Sequence, residues 1–225
     1  MWWLDDYERR ARLVPGLWLM APIVVCVFMF GLRANLLVSS AGGLLIAAGA
    51  PVLLSSLVRQ RGLAIEAALV RTWGGWPTTQ LMTAGTPSVL QSRRTAIEQA
   101  TGMVLPPADE PDSDAYDVAT TKLRTLTRSK VDYPLVFEEN RNYGFERNLL
   151  GVQPLARVTS TVALVASVAA ACLVAVHRHT LSPDLWIGSV FLLAIAAFWF
   201  CYPSQARART VAFKYAERLV EALDK

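Results

Sequence analysis

RQRGLAIEAALVRTWGGWP (residues 59–77) and FEENRNYGFERNLLGVQP (residues 137–154) open and close a polar stretch, residues 59–154, that cannot lie in a bilayer. The chain on either side of it is apolar. Runs at 13–32 and 34–58 precede the stretch, and runs at 155–176 and 185–202 follow it. Each reaches or nearly reaches the roughly 20 residues that a helix needs to cross a ~30 Å hydrocarbon core. Arg157 alone brings a formal charge into these runs, two residues inside its own, where a long side chain can snorkel to the headgroups. The spacing predicts an all-α, polytopic membrane protein in which two transmembrane helical hairpins flank a helical cytoplasmic domain. The expected parts are an interfacial N-terminus with the first hairpin (1–58), the cytoplasmic domain (59–154), the second hairpin (155–202) and a cytoplasmic amphipathic helix (203–225).

Composition agrees with that division. At 225 residues and 53% hydrophobic content, the chain is too apolar for an ordinary soluble domain and too short for several large ones. Every Lys and Arg except Arg33 and Arg178 lies before the first run, between residues 59 and 157, or after the fourth run. The positive-inside rule therefore puts both termini and residues 59–154 in the cytoplasm, with two short external turns. The first run is longer than the ~7–15 residues of a signal-peptide core. Arg33 follows it without a small-residue cleavage site, so it reads as a span.

Cys26, Cys172 and Cys201 all fall inside the runs, and the only histidines, His177 and His179, flank Arg178 in the second external turn. Neither a disulfide framework nor a metal site follows from that spacing, and no cofactor is implied. Trp2, Trp3 and Tyr7 form an interfacial foot. In the second run Ser39, Gly43 and Ala47 recur at four-residue spacing, and Ala163, Ser167 and Ala171 repeat the device in the third. Such faces let helices approach closely. Apart from Arg157, no charge is available in the runs for a proton relay.

Within the polar stretch, residues 59–70 continue the second span as a helix until Trp73-Gly74-Gly75-Trp76-Pro77-Thr78-Thr79 stops it, with Thr78 or Thr79 as the next cap. A second helix is expected over 87–100, ending at Gly102, then a Pro- and acid-rich linker over 105–115 and a helix over 115–130. The amide, guanidinium and aromatic groups of residues 140–148 can hold a bend ahead of the third span and couple the domain to it. In the tail, Ala208, Val211, Ala212, Tyr215, Leu219 and Leu223 share one helical face, suited to packing on the central domain.

No enzyme motif is present. The polar stretch lacks a phosphate loop and any His, and Glu138 and Glu139 are adjacent, which on a helix aims them about 100° apart. A ligand site is the better expectation. Arg93, Arg94, Lys122, Arg124, Arg128, Lys130, Arg141 and Arg147 are candidate phosphate partners, and Trp73, Trp76, Tyr116, Tyr143 and Phe145 are candidate stacking faces. The stretch holds 11 bases and 11 acids, so any nucleic-acid site must be a local basic patch.

At Trp73-Gly74-Gly75-Trp76-Pro77-Thr78-Thr79 and over residues 138–151 the chain resembles the membrane effectors of bacterial anti-phage systems that pair such a protein with a nucleotidyltransferase-like enzyme, the Hailong type in particular. The resemblance covers the two-hairpin layout and these motifs, roughly half the chain. It implies a protein of the bacterial inner membrane whose ligand is a nucleotide or short single-stranded DNA made by the partner enzyme. That ligand would hold a pore shut, and its loss would depolarise the infected cell. One chain has too few spans for an internal pore, so a homo-oligomer in the lipid, a tetramer, is expected. The alternative is a non-conducting, membrane-anchored scaffold that recruits a cytoplasmic partner.

Overall fold

Helix is the only regular structure among the residues described by the computed structural model, which are 7, 9–30, 50–109 and 114–223. A π-helical turn, Arg9–Leu13, leads into α1 (Val14–Met29). There follow α2 (Ala50–Trp73), α3 (Pro77–Thr83), α4 (Pro87–Thr101), α5 (Asp114–Leu126), α6 (Pro134–Arg178), α7 (Pro183–Cys201) and α8 (Gln205–Glu221). Helices α3, α4, α6 and α7 each begin on a proline, whose fixed φ suits a first turn and whose missing N–H is not needed there. That proline replaces the expected threonine cap. Trp76 holds the cap position of α3, and Thr78 lies inside the helix.

Among the described residues, three segments are long and apolar enough to cross a membrane: Arg9–Met29, α6 and α7. Most of the second run, with its Ser39, Gly43 and Ala47 stripe, lies outside the described residues. Its end forms the start of α2, which continues unbroken to Trp73.

The chain divides into two compact units, and both α2 and α6 contribute to each. The apolar unit comprises Met1–Ala64 and Arg147–Ser204; the polar unit comprises Ile65–Glu146 and Gln205–Lys225. Compared with the expected domain at 59–154, the ends of that stretch belong to the apolar unit and the tail joins the polar one.

In the apolar unit α7 runs antiparallel to both α1 and α6. Trp18 stacks on Phe198 at 4.7 Å between ring centroids, while Gly188 lies against Met29 at the other end. Ser160, Ala163, Ser167 and Ala171 form the buried face of α6, so this small-residue stripe is used for helix packing. The Ser189 hydroxyl donates to the Leu185 carbonyl at 2.8 Å, which leaves its oxygen to accept from Ser167 at 2.6 Å. Large apolar side chains such as Phe28, Phe191, Leu193 and Phe200 point outward, as lipid-facing residues do.

Helices α2 and α6 cross at two glycines. A Cβ on Gly62 would fall 2.0 Å from Asn148 Oδ1, and one on Gly151 would fall 2.5 Å from the Gly62 nitrogen. Asn148 is buried there and donates through Nδ2 to the Ala11 carbonyl at 2.7 Å. The bend expected at residues 140–148 is therefore not formed: α6 is one 45-residue helix. The Asn148 amide is spent on the N-terminal segment instead of on its own backbone.

The core of the polar unit gathers Met82, Ile97, Leu105, Tyr116, Ala119, Leu123 and Val220. Val220 comes from α8, whose buried face also includes Ala208, Ala212, Tyr215, Ala216 and Leu219. The tail thus packs into this unit. Helix α5 stops at Leu126 instead of 130. The hydroxyls of Thr121, Thr125 and Thr127 donate back to the carbonyls of Asp117, Thr121 and Leu123, at 2.9, 2.9 and 2.8 Å. Such bonding weakens a helix, and Pro134 disfavours helical backbone at Tyr133.

Candidate ligand cleft

The end of α2 sets the geometry of the cleft. Gly74 and Gly75 have φ of 83° and 113°, and their N–H groups donate to the carbonyls of Arg71 and Val70 at 3.2 and 3.0 Å. This is the Schellman pattern, in which a glycine beyond the last turn satisfies otherwise unpaired carbonyls. Gln80 then fixes the turn, since its Nε2 donates to the carbonyls of Trp73 and Gly75 at 2.9 and 2.8 Å. Thr78, buried, accepts from the Thr120 hydroxyl at 3.2 Å, which ties α3 to α5. Trp76 is thereby held half-exposed at the surface.

Trp76, Pro77, Thr78, Arg124, Tyr143, Ala212, Tyr215 and Ala216 line a shallow cleft, with an inner volume of about 10 Å³. The Arg124 guanidinium lies over the Trp76 ring, 5.7 Å from its centroid. Tyr143 and Tyr215 are nearly parallel, with centroids 6.4 Å apart, and are only 6% and 8% exposed. Tyr143 is anchored by its hydroxyl, which donates to Glu66 Oε1 at 2.8 Å. One turn on, buried Glu146 accepts from Arg207 at 3.0 Å and so fastens α6 to α8. Together these contacts give a nearly closed aromatic floor with the exposed Arg124 cation at its rim, so a ligand reaches the half-buried Trp76 ring and that guanidinium.

Residues 59–77 and 137–154 therefore meet at the cleft, to which they contribute Trp76 and Tyr143. Other expected site residues are dispersed. Arg94 faces inward: Nη1 donates to the Met82 carbonyl and the Tyr116 hydroxyl at 3.2 and 3.0 Å, and Nη2 donates to the carbonyls of Leu105, at 3.1 Å, and Pro106. Its guanidinium holds the loop after α4. Trp73 is buried, with no stacking face offered to a ligand.

On α5 the buried positions Tyr116, Ala119, Thr120 and Leu123 define one face, from which Arg124 turns to one flank and Lys122 to the other, while Arg128 lies beyond the end of the helix. Lys122 donates to the Thr101 carbonyl at 3.2 Å, at the end of α4. Lys130 lies over Phe137 at 5.1 Å, and Arg141 pairs loosely with Glu138 at 3.4 Å. Arg93 and Arg128 make no hydrogen bond or ion pair among the described residues. Arg147 belongs to the apolar unit and donates to Asn148 Oδ1 at 3.4 Å.

Tyr215 lines the cleft and Glu66 anchors Tyr143 beside it, and neither was expected as a site residue from the sequence. Tyr215 reads there as one more apolar position of the tail, and only its aromatic ring among alanines hinted at more. A second concavity, about 270 Å³, is lined by Asp132, Tyr133, Pro134, Leu135, Val136, Arg218, Glu221 and Ala222. Compared with family models, curated proteins and solved structures, the chain finds no match.

Proposed function

We propose that the protein is a ligand-controlled membrane effector. In this reading residues 34–58 complete the first of two transmembrane hairpins, and several copies, four in the simplest arrangement, surround an ion path in a bacterial inner membrane. The polar unit lies on the cytoplasmic side with both termini. It binds a nucleotide or short single-stranded DNA, and that ligand controls conduction; the reading assigns the chain no catalytic step. The supporting observation is the cleft itself, whose lining joins Arg124 over Trp76 to the paired rings of Tyr143 and Tyr215. A base can stack on Trp76 while its phosphate meets Arg124, with exposed Arg128 just past the end of α5 as a further phosphate partner. The resemblance to anti-phage effectors gives such a ligand a source in a partner nucleotidyltransferase.

Ion flux from liposomes carrying the full chain, with and without short single-stranded DNA or mononucleotides, tests the proposal. Flux that changes on adding ligand is the expected result. No flux in either state would remove the pore and leave the non-conducting scaffold. The largely apolar 270 Å³ concavity between the start of α6 and the end of α8 favours that second reading, because a protein partner can anchor a side chain there.

A further inference from the structure

Arg157 sits on α6 in the apolar unit, and its guanidinium is held at the end of α7. Nε donates to the Trp199 carbonyl at 3.2 Å and Nη2 to the Phe200 carbonyl at 3.3 Å. Gln153 Nε2 donates to the carbonyls of Trp199 and Pro203 at 3.0 and 2.9 Å. These donors serve two of the last carbonyls of α7 and that of Pro203 just beyond it, at a helix end that also attracts a cation. The guanidinium lies 4.9 Å over the ring of Phe200, which is 54% exposed. Arginine has five N–H donors, so two carbonyls leave three unused. No carboxylate contacts Arg157 among the described residues.

The surroundings place this group at a membrane boundary. Phe198 stacks between Trp18 and Tyr202, at 4.7 and 5.0 Å, and both outer rings are partly exposed. Aromatic rings with a polar edge collect, with arginine, where hydrocarbon meets headgroups. Helix α7, at 19 residues, spans roughly 28 Å, so its C-terminal end falls at the edge of the hydrocarbon core. The bond from Asn148 to Ala11 brings Arg12 and Arg147 to the same end of the unit, whereas Arg178 stands at the other. A basic end of this kind complements anionic lipid.

We propose that the notch between α6 and α7 at Arg157 binds the phosphodiester of an anionic glycerophospholipid. The unused guanidinium N–H groups donate to the phosphate oxygens. The acyl chains lie beside Phe200 and Leu193, two exposed residues seven apart on α7. The inference rests on α1, α6 and α7 spanning a bilayer.

The test uses the full chain in phosphatidylcholine vesicles with and without phosphatidylglycerol, read by thermal unfolding. Phosphatidylglycerol is expected to raise the wild-type midpoint by about 2–4 °C, the shift that ~1 kcal/mol produces in a chain of this size. Arg157→Gln should abolish that rise, and Arg157→Lys should keep part of it. Loss of the α7 cap alone lowers the midpoint equally in both lipids, so only the lipid-dependent difference is diagnostic. Phe200→Leu, which leaves the carbonyl partners in place, should shrink the rise, and it decides the matter should Arg157→Gln fail to fold. An absent rise in the wild type, or a full rise in Arg157→Gln or Phe200→Leu, overturns the proposal. So does an equal rise from inorganic phosphate alone, which would make the occupant a free ion. Failure of the protein to float with vesicles refutes the spanning helices, a result distinct from incorporation without lipid preference.

Discussion

Gly151 touches Gly62 backbone to backbone: a Cβ at residue 151 would meet the Gly62 nitrogen at 2.5 Å and the Arg61 carbonyl carbon at 2.6 Å. Neither atom can rotate away as a side chain could. Gly151→Ala should therefore force α2 and α6 apart and cost about 1–3 kcal/mol, more for Gly151→Val. Thermal unfolding of the purified protein in detergent measures it, and an unchanged midpoint would mean that the crossing is not as close as described.

Asn148→Ala at the same crossing leaves the buried Ala11 carbonyl without its donor. A loss of about 1–3 kcal/mol is expected from the unsatisfied group. Hydrogen exchange should rise selectively over residues 9–13, where the π-helical turn loses its tether.

Arg94 and Arg124 separate stability from binding. Arg94→Ala strips donors from two backbone carbonyls of the 105–106 loop and from Tyr116, so the polar unit should lose about 2–3 kcal/mol. Arg124→Ala with Arg128→Ala should leave stability within about 0.5 kcal/mol, because both side chains are exposed. If the cleft takes phosphate, the double variant weakens binding of short single-stranded DNA and flattens its salt dependence by roughly two units of slope. Titrations at several salt concentrations decide it, and unaltered affinity and slope would remove both residues from the site.

Ser167 and Ser189 share a hydrogen bond inside the apolar unit, so their alanine substitutions should not be additive. A double-mutant cycle is expected to give a coupling of about 0.6 kcal/mol and at most ~1.7. Zero coupling would show that close packing alone holds α6 against α7.

The helical class, the three described segments long and apolar enough to span a membrane, and the ends of α2 and α4 were legible, because apolar runs, Gly-Gly at 74–75 and Gly102 are local signals. The direction taken by a long side chain was not. Arg93 and Arg94 are neighbours in sequence, yet only Arg94 reaches three carbonyls and a phenol, since where a guanidinium goes depends on a loop folded back against it. The cleft was half legible: Trp76 and Tyr143 stood out as aromatic groups in polar stretches. Tyr215 was hidden by the same apolar periodicity that identified α8 as a packed helix. The polar character of residues 140–148 suggested a bend, and the structure spends it on contacts to other segments, Glu66, Arg207 and Ala11.

Because Val220 and Tyr215 come from α8, the polar unit is discontinuous along the chain: its first part, Ile65–Glu146, is synthesised before Arg147–Ser204 of the apolar unit, and its last part after it. Domains fold as their residues become available. Helices α3, α4 and α5 and the start of α6 must therefore wait, with Met82, Leu123 and Tyr143 uncovered by α8, while the ribosome makes the rest of α6 and α7. The order of synthesis requires α6 and α7 to be accommodated first and the polar unit to close last, so a chain stalled before residue 205 would display an open, aggregation-prone core.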